Sequence, residues 1–196
     1  MPDGGPLIVG IGGSTSAASV TNLLLRACLQ ATAARGARTL AFTGEQLAGL
    51  PIFDANVDVA APAAAPLVAA VRDADAVVIA TPGYHGGMSG LVKNAIDHLE
   101  PLRADVQPYL DGRAVGVIVA ASGWQSCGTT LVSVRSAIHA LRGWPTPFGV
   151  TVNSAEQHPA ADGAFDERVT GALQILAAQL TDFAAWRAAA RASSEH

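Results

Sequence analysis

Apolar residues along the chain fall into two kinds of run. Short continuous stretches rich in Val and Ile occur at 7–12 (LIVGIG), 76–81 (AVVIAT), 114–120 (AVGVIVA) and 148–152 (FGVTV), with a weaker one at 38–42 (RTLAF). Continuous rather than alternating apolarity describes strands covered on both faces. Between these runs, apolar positions recur at helical spacing. Val20, Leu23, Leu24, Ala27, Cys28 and Ala31 mark a first helix, and residues 64–73 a short second one. Val92, Ala95, Ile96 and Leu99 mark a third; Leu131, Val134, Ile138 and Leu141 a fourth; Val169, Leu173, Leu176, Leu180 and Phe183 a fifth. Each is an apolar stripe on one face. Strand and helix alternate five times, and right-handed crossovers turn that order into an α/β three-layer sandwich, a five-stranded parallel sheet with helices on both sides.

The length of 196 residues suits one domain over 1–196. The alanine-rich stretch AAPAAAP at 60–66 reads as a connection running into a helix. With half its residues hydrophobic and 14% charged, the chain has the material for an aliphatic core. A formal net charge of −4, with the basic residues spread along the chain, offers no footprint for nucleic acid. Cys28 and Cys127 show no CxxC spacing and no metal-ligand pattern with the histidines, so no metal site is expected. The start MPDGGPLIVGIGG lacks a basic n-region followed by a long apolar stretch, and no window reaches transmembrane length. The expectation is a cytoplasmic protein without a membrane partner.

In a sheet of this kind ligands bind beyond the carboxyl ends of strands, where the strand order reverses. The segments after the first, third and fourth strands are therefore the places to search. The first, GGSTSAASVTN at 12–22, combines glycines, a helix N-terminus and the hydroxyls of Ser14, Thr15, Ser16 and Ser19. That suits a monoester phosphate, with an ordinary helix cap at Ser16 or Ser19 as the alternative. It has no Walker lysine, Lys93 being the only lysine in the chain. As a dinucleotide fingerprint, Gly10-Ile11-Gly12-Gly13-Ser14-Thr15 puts Thr15 where a third small residue belongs.

In the second segment, 81–99, Pro82 is expected to stop the strand and Ser89 to cap the next helix. Gly86, Gly87 and Gly90 surround Tyr84 and His85, serving either a tight turn or a flat ligand against bare backbone. The third, ASGWQSCGTT at 121–130, reads as a loop of small and hydroxylated residues around Trp124. Lys93 and Asp97, four apart on the third helix, form a surface pair; His98, His139 and His158 read as solvated or capping.

These residues resemble the NAD(P)H-dependent FMN reductases of the flavodoxin-like superfamily, which include quinone and azo-dye reductases. The resemblance lies in Gly13-Ser14 with Ser19 after the first strand. It lies also in Pro82-Gly83-Tyr84-His85-Gly86-Gly87-Met88-Ser89-Gly90-Leu91-Val92-Lys93-Asn94-Ala95-Ile96-Asp97, and in LRGWPTPFGV before the fifth strand. It implies a sheet of order 2-1-3-4-5 and FMN as cofactor. Ser14, Thr15, Ser16 and Ser19 would hold its phosphate; Pro82, Gly83, Tyr84, His85 and Gly86 would line its ring; Ser122, Gly123 and Trp124 would approach the ring's other edge.

Two departures stand out: Thr15 stands where many members carry an arginine, which implies weaker pairing with the phosphate and looser FMN binding, and Gly83 stands where many carry a glutamate, which removes a carboxylate from the ring's neighbourhood. The resemblance further implies hydride transfer from NADPH or NADH to FMN, with no catalytic side chain. The electrons would pass on to a small-molecule acceptor (a quinone, azo or nitro compound) or to a flavin-dependent monooxygenase, in a homodimer or homotetramer. Alternatives are a flavodoxin-type carrier without nicotinamide chemistry and a non-enzymatic flavin-binding domain.

Overall fold

The computed structural model describes residues 4–16, 18–56, 61–161 and 163–194. Ala17, within the hydroxylated loop, and the first residue of the 60–66 stretch lie outside them. The strands are β1 (Leu7–Gly12), β2 (Arg38–Phe42), β3 (Ala76–Tyr84), β4 (Gly87–Met88), β5 (Ala114–Ala121), β6 (Trp144–Pro145) and β7 (Val150–Asn153). The helices are α1 (Val20–Ala34), α2 (Gly44–Ala48), α3 (Ala65–Asp73), α4 (Gly90–Asp97), α5 (Trp124–Ala140) and α6 (Glu167–Ser194). The sheet runs β2-β1-β3-β5-β6, and β7 also pairs with β5. All of these pairings are parallel, which gives the expected order 2-1-3-4-5 once β6 and β7 are counted as one edge position.

Alternate residues of the central strands feed two cores. Val9, Ile11, Val77, Ile79, Val115, Val117 and Val119 pack with Leu67 and Val71 of α3, Val92 and Ile96 of α4, and Val134 and Ile138 of α5. Ile8, Val78, Ala80 and Ile118 pack with Leu24, Leu25 and Cys28 of α1 and Leu173, Leu176 and Leu180 of α6. Three layers result because a strand's side chains alternate between faces and both faces are apolar. Full burial of one such aliphatic side chain is worth about 1.5–3 kcal/mol, so the sheet centre is the rigid platform on which the loops stand.

Four expectations are corrected. Pro82 does not stop β3: its register with β5 continues through Pro82↔Ala120, and β3 runs to Tyr84. The pairing of β1 with β3 ends at Gly12↔Ala80, and the Gly13 carbonyl beyond it takes its hydrogen bond from Ser89 Oγ, so the missing N–H of buried Pro82 is tolerated.

The fifth strand is two pieces rather than one. Pro145 and Pro147 interrupt it, and the backbone between is satisfied by side chains. Arg135 donates to the carbonyls of Thr146 and Pro147, both at 2.9 Å, and the Phe148 amide donates to Gln179 at 3.0 Å.

The segment 121–130 is not a loop, because α5 begins at Trp124 with Gly123 as its N-cap. His98 is not solvated. It ends α4, but its ring is buried, with Nε2 2.9 Å from the Pro51 carbonyl and an edge-on contact to Phe53.

Candidate active site

The carboxyl ends of β1, β3 and β5 deliver three turns to one edge of the sheet. β2 lies on one side of β1 and β3 on the other, so the strand order reverses there and the adjoining crossovers leave a crevice.

The first turn leaves β1 with Gly13, whose amide donates to the Ala80 carbonyl at 2.8 Å. Ser14 follows, half-buried, and its Oγ accepts from the Ser16 amide at 3.3 Å. Thr15 and Ser16 are exposed. Ser19 is the N-cap of α1, its hydroxyl accepting from the Asn22 amide at 3.2 Å. The capping alternative thus accounts for Ser19 and for none of the other three hydroxyls. Among the described residues the amides of Ser14 and Thr15 have no protein acceptor.

The second turn is a hairpin that the sequence pattern did not announce. Gly83 pairs with Met88 and Tyr84 with Gly87 in antiparallel register, leaving His85 and Gly86 as a two-residue connection. Both have positive φ, 52° and 83°, the backbone of a type I′ turn that matches the twist of the flanking strands. Gly86 is therefore explained by conformation. Gly87 and Gly90 are not: neither has positive φ, and a Cβ would meet only the Tyr84 carbonyl at 4.0 Å from Gly87 and nothing within 4 Å from Gly90. The tight-turn reading accounts for Gly86 and leaves Gly87 and Gly90 without a conformational requirement.

The third turn is only Ser122 and Gly123, and then α5 starts without a side-chain cap. The first intrahelical bond runs from the Cys127 amide to the Gly123 carbonyl, so among the described residues the amides of the preceding first turn have no acceptor. A Cβ on Gly123 would meet nothing within 4 Å. Trp124 is partly exposed and turned toward the segment after β7. Its Nε1 donates to Glu156 at 3.1 Å, and the Arg168 guanidinium lies 6.0 Å from the ring centroid. Its described contacts do not join it to the first two turns.

Side chains not singled out as ligands fasten the turns together. Ser89, buried at the N-cap of α4, accepts from the Val92 amide at 3.2 Å and donates to the Gly13 carbonyl at 3.0 Å. One hydroxyl thereby caps a helix and clamps the first turn to the second. The Ser89 amide in turn donates to Thr81 Oγ1 at 3.0 Å. Ser126, on the first turn of α5, donates to the Gly83 carbonyl at 3.2 Å and joins the second turn to the third. At Gly83 a Cβ would lie 2.9 Å from Ala121 Cβ, 2.9 Å from Ser126 Oγ and 3.0 Å from Thr130 Oγ1. The absence of a side chain at that position is therefore a packing requirement of α5. A Ser or Thr just past a strand end was visible in the sequence, but its partner, distant along the chain, was not.

The first turns of α1, α4 and α5 contain no acidic residue, so three helix N-termini present positive dipole ends without a carboxylate. Free amides and the hydroxyls of Thr15 and Ser16 fit a phosphate; the open backbone at Gly87, Gly90 and Gly123 fits a flat ring. Cys127 lies beneath the third turn, fully buried, with Sγ 3.4 Å from the Val152 carbonyl; burial pushes its thiol pKa up, so it is no nucleophile here.

The profile of the family described as NADPH-dependent FMN reductase matches residues 6–158. An FMN-dependent NADPH-azoreductase of Staphylococcus haemolyticus is 31% identical over 93 residues, which is 47% of this chain and 46% of that protein. The chain thus spans about half the length of the curated relatives it matches.

Among solved structures, an oxidoreductase from Corynebacterium diphtheriae superposes with a TM-score of 0.70 at 19% identity, over 92% of this chain and 99% of that one. A flavoenzyme NAD(P)H:(acceptor) oxidoreductase from Paracoccus denitrificans superposes with a TM-score of 0.69 at 22% identity, over 93% and 98%. These likenesses carry the fold, and the sequence match, which spans all three turns, carries the family. The chain belongs to the NADPH-dependent FMN reductase family.

Proposed function

We propose that this chain binds FMN across the three turns and uses NADPH or NADH to reduce a small-molecule acceptor, of the quinone, azo or nitro class, or to supply a flavin-dependent monooxygenase. The observation that carries the reading is the double clamp: Ser89 ties the hydroxylated first turn to the bare hairpin, and Ser126 ties the hairpin to the uncapped end of α5. A phosphate site, a flat site and a positive helix end are thereby held as one rigid surface. Membership of the family supports the same reading.

FMN held there would supply the redox chemistry, hydride uptake from a nicotinamide and electron transfer to an acceptor. The chain's own work is placement. The turn containing Ser14, Thr15, Ser16 and Ser19 holds the phosphate with hydroxyls and amides, helped by the dipole of α1. Pro82, Gly83, Tyr84, His85 and Gly86 present a surface for the ring that is pinned by the hairpin register. The free amides at the start of α5, beyond Ser122 and Gly123, would stabilise negative charge on a ring bound there with little reorganisation. His85, on the exposed tip of the hairpin, donates a hydrogen bond or limits access, and no side chain moves a proton in the hydride step. Trp124, held by Glu156, flanks the route to the third turn. The reading includes a homodimer or homotetramer working in the cytoplasm, as family membership suggests. Among the described residues no helix is long and apolar enough to cross a membrane.

The test is anaerobic titration of the FMN-loaded protein with each nicotinamide. The visible flavin absorbance should bleach with at least one of them and return when a quinone is added. Binding without bleaching would instead leave a flavodoxin-type carrier, and failure to bind FMN would leave a domain without flavin function.

A further inference from the structure

Asn22 sits on the first turn of α1 and is 1% exposed. Its Nδ2 donates twice, to the carbonyls of Ser14 at 3.0 Å and Ser16 at 2.8 Å. Its Oδ1 is buried with no hydrogen-bond partner among the described residues, 2.8 Å from where a Cβ on Gly12 would lie. Turning the carboxamide over would set that oxygen against two carbonyl oxygens, so the loop itself dictates the orientation. An unpaired buried amide oxygen is unfavourable. Its presence calls for something that the amide nitrogen does.

The carbonyl and N–H of a trans peptide point to opposite sides. Drawing the Ser14 carbonyl down onto α1 turns the amide of Thr15 away from the helix. That amide has no protein acceptor among the described residues. Holding the Ser16 carbonyl in the same way pins the next bend of the loop, since that oxygen also accepts from the Ser19 amide at 3.1 Å. One buried side chain thus sets the direction of the Thr15 amide from beneath the first turn.

We propose that Asn22 is a positioning residue for the phosphate of FMN, a role outside the set of direct contacts; the proposal rests on reading the first turn as the phosphate site. Its signature is selectivity for the phosphate, because Asn22 acts on the loop amides and not on the ring surface.

The experiment measures dissociation constants of FMN and of riboflavin, by quenching of flavin fluorescence, for the wild type and for Asn22→Asp and Asn22→Ser. The first variant is nearly isosteric and replaces the donor with a carboxylate; the second is neutral, small and too short to reach both carbonyls. Thermal melts of the unliganded proteins accompany them. Two lost hydrogen bonds predict at least about a tenfold loss of FMN affinity in either variant, with riboflavin affinity within about twofold of wild type. Asn22→Asp should be the worse, since it adds negative charge beneath an anion.

Equal losses for FMN and riboflavin, tracking the fall in melting temperature, would mean a merely structural role and overturn the proposal. Unchanged FMN affinity in whichever variant folds would also overturn it. A wild type that binds the two flavins equally overturns this inference and leaves flavin binding standing. One that binds neither overturns the functional reading and this inference with it.

Discussion

Ser89 is the single side chain whose removal most directly tests how the site is built. Replacing it with alanine deletes two bonds at once. The cap on the Val92 amide is worth about 1 kcal/mol. The Gly13 carbonyl, in a buried residue, loses its hydroxyl donor at a cost of about 1–3 kcal/mol. The sum is about 2–4 kcal/mol, which for a chain of this size lowers the melting temperature by roughly 5–15 °C.

Glycine separates the two contributions, because at an N-cap it costs only a few tenths of a kcal/mol relative to serine. Ser89→Gly should therefore retain the loss from the clamp and recover about 1 kcal/mol relative to Ser89→Ala. Urea melts of the unliganded protein followed by far-UV circular dichroism, with linear extrapolation and an unchanged slope, give both differences. A Ser89→Ala protein within about 0.5 kcal/mol of wild type would refute the clamp. So would a Ser89→Gly protein as stable as wild type, since then the bond to Gly13 contributes nothing.

Other substitutions test the remaining contacts. Gly83→Ala drives a methyl group against Ala121, Ser126 and Thr130 and should cost about 1–3 kcal/mol in the same urea assay; a neutral result would mean that α5 is free to move off the hairpin. Gly86→Ala should cost about 1 kcal/mol, because its φ of 83° strains any side chain. Gly90→Ala, with open space around it, should be neutral or slightly stabilising without ligand yet weaken FMN binding, and equal FMN affinity would show that this glycine is not kept for the ring. Both thiols are buried, and burial pushes the Cys28 pKa up to about 12. At about pH 8 the native protein should hardly react with a thiol-disulfide reagent, whereas the denatured chain should release two equivalents; prompt native reaction would contradict the described packing.

The architecture was legible in the residues because it follows from local pattern. Uninterrupted Val and Ile at 76–81 and 114–120 read as central strands, and both are buried on two faces. The apolar stripe from Val169 to Phe183 marked α6, and the alanine-rich continuation to Ser194 stayed hidden because helix propensity, not burial, carries it. Trp124 to Thr130 shows no apolar stripe in the sequence because its residues are mostly small and polar, although Cys127 and Thr130 are buried in α5.

The layer order, the three strand ends that matter and the residue types gathered there follow from the order of residues alone, since periodicity and turn chemistry are local properties. Only the tertiary structure decided which glycine serves the turn and which leaves open space, that Gly83 has no room for a side chain, and that Ser89, Ser126 and Asn22 hold the turns in place. Those facts depend on hydrogen bonds and close approaches between segments far apart in the chain. Such contacts exist only once the sheet has brought their ends together.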